Sequence, residues 1–149
     1  MMLPFDPTEI TPEMYGEHMA VLESDHESAI ETVREICLDE GFGIPVEFSP
    51  SDMLNEKVDA GRDPYYVLGA CNPAIADRAL TATDNKIGGL FPCNMIVWER
   101  APNEQVVYHV SIMRIAQMLG MAEDTDEMDA IIADTGELVA SVYDRLESL

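Results

Sequence analysis

Positive charge is scarce in this chain. Of 149 residues only eight are Lys or Arg, against 29 Asp and Glu, for a formal net charge of −21. A field of that sign opposes approach to nucleic-acid phosphates, whose binding relies on Lys and Arg, so no nucleic-acid partner is expected. Cysteine is sparse too. Three residues, Cys37, Cys71 and Cys93, with no CxxC spacing, suit a reduced cytoplasm better than a disulfide scaffold. No apolar run is long enough to cross a membrane. The opening residues Met-Met-Leu-Pro-Phe-Asp-Pro lack the basic start and apolar stretch of a secretory signal, so a cytoplasmic location is expected. Glycine-rich phosphate loops, GxSxG turns and HExxH helices are all missing, which lowers the expectation for common enzyme classes. His18, His26 and His109 have no ligand spacing, so neither a metal nor another cofactor is implied.

What is present is an apolar content of 47%, too high for a disordered acidic chain. The length suits one domain, taken as residues 13–149 behind an extended, proline-bearing arm at 1–12. The acidic residues are spread along the chain, as in halophile-type proteins. Self-repulsion of that size calls for cations to screen it, and the screening length falls to about 3 Å at molar salt. Solvated cations at high salt are therefore expected companions of the fold.

Local signals place most elements. Tyr15 to Leu22 suits a strand. Ser24 or Asp25 can cap a helix whose apolar residues Ala29, Ile30, Val33, Ile36 and Cys37 recur at helical spacing until Gly41. A strand follows over Gly43 to Phe48, and Ser49-Pro50 opens a short helix reaching Val58. Tyr65 to Ala70 is β-prone, and Asn72-Pro73 supplies the next helix with an N-cap and a first-turn proline. Leu90 to Glu99 reads as another strand, with a hairpin at Ala101-Pro102-Asn103 leading into a strand over Gln105 to Met113. There Val106, Tyr108, Val110 and Ile112 share one face, and Gln105, His109 and Ser111 the other. A last helix carries Met128, Ile131, Ile132, Leu138, Val139, Val142 and Leu146 in one stripe, and Gly136 inside it suggests close packing. Strands and helices with an antiparallel hairpin favour an α+β fold.

Two Cys-Asn pairs are the candidate site. Cys71 stands where a strand feeds a helix, and a helix N-terminus can hold an anion or stabilise a thiolate. The bland alternative makes it a buried small hydrophobe beside a capping Asn72. Strand alternation puts Cys93 with Met95 and Val97, and Asn94 with Ile96 and Trp98. Cys37 lies on an apolar helix stripe and reads as packing.

The run Tyr66-Val67-Leu68-Gly69-Ala70-Cys71-Asn72-Pro73, followed by Ala76, Ala79-Leu80, Gly88 and Pro92-Cys93-Asn94, resembles the domain of unknown function 302 family. The helix end Asp39-Glu40-Gly41-Phe42-Gly43 is similar to that family as well. The resemblance implies a curved antiparallel sheet packed by helices on one face, like the TATA-box-binding protein, in a β-α-β-β-β-β-α order with short extra helices. It also implies a homodimer, and it carries no DNA binding and no established activity. The family commonly shows an Asp-Pro pair after the last strand, near the place where Met113-Arg114 stand here.

Three functions follow as expectations. The first is a small-ligand or anion binding domain, not an enzyme, using Cys71, Asn72, Cys93 and Asn94, with Tyr65, Tyr66 or Trp98 as walls. The second is a thiol-dependent enzyme or redox protein using Cys71 with Cys93, His109 or Asp77. In the third, both motifs are structural and the domain serves partner contact.

Overall fold

The computed structural model describes residue 3 and residues 5–149. Five strands form one antiparallel sheet: β1 (His18–Leu22), β2 (Gly43–Phe48), β3 (Tyr65–Cys71), β4 (Cys93–Ala101) and β5 (Glu104–His109), in the order β1-β5-β4-β3-β2. The helices are α1 (His26–Asp39), α2 (Pro50–Val58), α3 (Pro73–Ala82), α4 (Ile112–Met118) and α5 (Asp126–Glu147). Two of the helices fall where the sequence put them, α2 between β2 and β3 and α3 between β3 and β4, as short additions to the sheet-and-helix order.

The caps read from the sequence hold their helices. Asp25 accepts from the Ser28 N–H, Ser49 from that of Asp52, and Asn72 from that of Ile75. Each satisfies one of the orphan donors at a helix start, worth about 1 kcal/mol. Residues 7–9 and 12–15 form 3-10 turns rather than a wholly extended arm, and β1 begins at His18, not Tyr15. Residues 1, 2 and 4 of that arm lie outside the described residues.

The expected last strand is shorter than read. β5 stops at His109, and Ser111 accepts from the Arg114 N–H to start α4, so Ile112 and Met113 are helical and buried. Gln105, Val107 and His109 are buried beneath the helices, while Val106 and Tyr108 point to the opposite face. The inward Gln105 is paired at both ends of its amide: Oε1 meets His26 Nδ1 at 2.8 Å, and its amide nitrogen donates to Glu99 at 3.0 Å. Pairing is what makes such burial tolerable.

Two apolar clusters fill the interior. One lies between the sheet and helices α1 and α5, and contains Leu68, Ala70, Met95, Val97, Val107, Cys37 and Phe42. The other joins α3, α4 and α5 around Ile75, Cys93, Ile112, Met113 and Met128. Arg78 ties α3 to α5 by reaching Glu127 at 3.1 Å and Asp134 at 2.7 Å. Among the described residues no helix covers the opposite face of the sheet, which leaves Met19, Val21, Val46 and Phe48 exposed.

Candidate functional site

The end of β3 and the start of α3 form one junction. Cys71 closes the strand, Asn72 caps the helix, and Pro73 takes the first helical position, where a missing N–H does no harm. Asn72 works at both ends of its amide. Its Oδ1 accepts from the Ile75 N–H at 3.0 Å, and its Nδ2 donates to the Gly41 carbonyl at 2.9 Å. Gly41 has φ of +102°, a backbone region that L side chains rarely adopt, and so turns the chain from α1 into the buried Phe42.

Beside this junction, Cys93 opens β4. Its Cα pairs with that of Ala70, so the two Cys-Asn segments are neighbours across the β3–β4 ladder. Gly69, one step earlier, meets a close approach. A Cβ there would lie 2.6 Å from Val46 Cγ1 and 2.7 Å from Pro92 Cγ. A glycine inside a β-prone run is the sequence sign of such an approach.

A cavity of about 220 Å³ opens where these pieces converge, at the seam of the two apolar clusters. Cys71, Asn72 and Cys93 line it, with Phe42, Val46, Ile75, Phe91, Pro92 and Met113 supplying most of the remaining wall. No Lys or Arg is in the lining, and Asn72 already spends its amide on the cap and on Gly41. The Ala76 N–H bonds back to the Asn72 carbonyl, and Pro73 has none to offer. An anion would therefore find little of the usual helix-terminus donor set here.

The other expected contributors lie elsewhere. Asn94 is exposed on the helix-free face of β4 with Ile96 and Trp98, as two-residue alternation dictates, and does not reach the cavity. Tyr65 and Trp98 stack on that face with centroids 6.1 Å apart. Tyr66 points under the sheet, where its hydroxyl donates to Glu47. Phe42, Val46, Ile75 and Phe91 take the places expected of those aromatic walls.

The three thiols differ sharply. Cys37 and Cys93 are buried, and burial pushes each thiol up to about 12, helped at Cys93 by the neighbouring Cys71. Both stay protonated at neutral pH. Cys71 is partly exposed. His109, the base considered for it, is not in the cavity wall. Its Nδ1 lies 2.9 Å from the Asn94 carbonyl, and burial holds its pKa down at about 4. Asp77 is exposed on α3 and does not line the cavity either.

The model of the family described as domain of unknown function DUF302 matches residues 18–146. The chain belongs to the DUF302 family. A crystal structure of an uncharacterized conserved DUF302 protein from Bacillus stearothermophilus superposes with a TM-score of 0.75. The two are 24% identical, and the match covers 87% of this chain and 97% of the other. At that identity the likeness shows a shared fold. No curated protein matches the chain. No helix among the described residues is long and apolar enough to cross a membrane.

Proposed function

We propose that this DUF302 domain binds a small, mainly apolar molecule in the cavity beside Cys71, Asn72 and Cys93. The carrying observation is a cavity of about 220 Å³ with an apolar lining, placed where two core clusters meet and edged by one accessible thiol. Pockets for small molecules combine apolar walls with few polar groups in the same way. Cys71 and Thr135 supply the polarity, and Asn72 acts by holding Gly41 and hence Phe42 in the wall. The three free thiols suit a reducing compartment, so we place the protein in the cytoplasm. Indole is a suitable probe, being compact and mostly apolar. Saturable binding to the native chain, abolished by Ala76→Phe with the fold intact, supports the site; native protein that binds no indole removes it. A thiol-dependent enzyme is less favoured, because neither His109 nor Asp77 stands in the wall with Cys71.

The helix-free sheet face favours a second element of the proposal, a homodimer. Its central residues Met19, Val21, Val46, Phe48, Tyr65, Val67, Ile96, Trp98, Val106 and Tyr108 include no carboxylate, in a chain with 29 of them, while Glu104, paired with Arg100, and Glu17, bonded to the Tyr108 hydroxyl, stand at the margin. Uncharged apolar faces of this kind mark association surfaces. A second copy presenting the same face brings no acidic side chain into its centre. Light scattering in molar potassium chloride should give a dimer mass that falls to the monomer value in Phe48→Glu; a monomeric native protein would overturn this element and leave the cavity untouched.

A further inference from the structure

A second cavity, of about 540 Å³, lies between α5 and the corner where β1, β5 and α4 meet. It is separate from the apolar site, although Thr135 belongs to both walls. His109 is the group in its wall that most needs explaining. The residue is 1% exposed, and its Nε2 is buried without a hydrogen-bond partner. Nδ1 faces the Asn94 carbonyl at 2.9 Å. A carbonyl oxygen only accepts, so Nδ1 carries the proton and Nε2 presents a bare lone pair. An acceptor left unmatched inside a protein marks a place for a donor.

Two further observations converge on the same space. Arg114, in the wall, makes no ion pair among the described residues, despite the 29 carboxylates in the chain. Gly136 sits inside the 22-residue α5, where glycine weakens a helix. The sequence suggested close packing there, yet a Cβ on Gly136 would meet nothing within 4 Å. The glycine is exposed at the edge of the wall, so it keeps that edge free of a side chain rather than admitting a neighbouring backbone.

We propose that this cavity is a binding site for a small carboxylic acid carrying an adjacent N–H or O–H donor, an α-amino or α-hydroxy acid. The donor meets Nε2 of His109 and the carboxylate meets the guanidinium of Arg114. Glu13, Glu17 and Glu137 stand in the same wall, so a bare anion is opposed by their charge and the donor must contribute to affinity. A site built to receive a hydrogen bond rejects the analogue that lacks it, because its polar group is then left unpaired.

L-alanine, L-lactate and propionate share a three-carbon skeleton and differ in that one group. Each is titrated into the full chain in potassium chloride, following the Nε2 resonance of His109 by nitrogen NMR. Alanine or lactate should bind and move that resonance, with propionate at least tenfold weaker; whichever binds tighter identifies the donor as ammonium or hydroxyl. His109→Asn keeps a donor for the Asn94 carbonyl but has no acceptor at the position of Nε2, because its side chain is shorter than the ring, and should erase the preference over propionate. Arg114→Gln should weaken binding of the preferred acid at least tenfold. Gly136→Leu, at an exposed helix position, should block binding in a folded protein. Equal affinity for all three acids, an Nε2 resonance that none of them moves, or a preference that survives His109→Asn overturns the assignment. These outcomes are independent of indole binding in the apolar cavity.

Discussion

Replacing Asn72 separates two jobs that one side chain performs. Its Oδ1 caps α3 through the Ile75 N–H, and its Nδ2 fastens the Gly41 carbonyl 31 residues earlier in the chain. Losing an N-cap costs about 0.5–2 kcal/mol. Losing a further hydrogen bond costs about 0.5–1.5 kcal/mol. Asn72→Ala loses both, so about 2 kcal/mol is expected, which lowers the melting temperature of a domain this size by about 4–8 °C. Asn72→Ser retains a capping oxygen on a side chain too short to reach Gly41, and should cost about 1 kcal/mol. Asn72→Asp keeps the cap but turns an oxygen toward the Gly41 carbonyl in place of a donor, and should be at least as destabilised as Asn72→Ser. Urea titrations in constant molar potassium chloride give the three values. Gly41 sets the approach to Phe42, so Asn72→Ser should also weaken indole binding in the cavity. Equal stability of the Ser and Ala variants would show that the cap contributes nothing. A native-like Asn72→Asp would show the same of the Gly41 bond, and either result breaks the account of the junction.

The thiols, the pH response and the salt response give three more tests. Iodoacetamide on the folded protein should add one label, at Cys71, with Cys37 and Cys93 labelled only in denaturant; peptide mass spectrometry reads this, and early labelling of Cys93 would contradict its burial. His109 has a folded-state pKa lowered from 6.5 to about 4. Between those values the unfolded chain takes up a proton that the folded one refuses, so stability falls as pH drops through that window. The slope reaches at most about 1.4 kcal/mol per pH unit and is absent in His109→Asn. Unfolding curves at several pH values check it, and a native slope no greater than that of the variant refutes it. Finally, a charge of −21 should make the fold depend on screening: the melting temperature should rise steeply from dilute buffer to molar potassium chloride, whereas an unchanged value would reject the halophile-type reading.

The features legible in the sequence are those fixed by neighbours along the chain. Asp25, Ser49 and Asn72 each cap the helix they precede, because the capping oxygen and its N–H partner are three residues apart. Alternation in β4 likewise grouped Cys93 with Met95 and Val97, and Asn94 with Ile96 and Trp98, and in the structure the first group is the inward one. The face of β5 was hidden for the opposite reason. Gln105 and His109 can point inward only because His26, 79 positions away, and the Asn94 carbonyl, 15 away, meet their polar atoms. Alternation alone gives two faces and no means of choosing between them when one bears polar residues that find distant partners. Gly136 misled in a related way, since glycine in a helix can serve close packing or leave space, and only the surroundings decide.

The same distinction explains why one Cys-Asn pair reaches the cavity whole and the other does not. At the β3–α3 junction the chain leaves the sheet, so the alternation that would send Cys71 and Asn72 to opposite faces ends there and both border one space. At the start of β4 the chain is entering the sheet, and alternation sends Cys93 into the core and Asn94 out of it. Equal dipeptides thus become unequal through the direction in which the backbone crosses the sheet boundary. Asn94 still takes part through its carbonyl, which fixes the proton of His109 and leaves Nε2 facing its unmet demand for a donor. The second motif therefore contributes a thiol to one cavity and a backbone acceptor to His109, which lines the other, a division of labour that its sequence alone does not display.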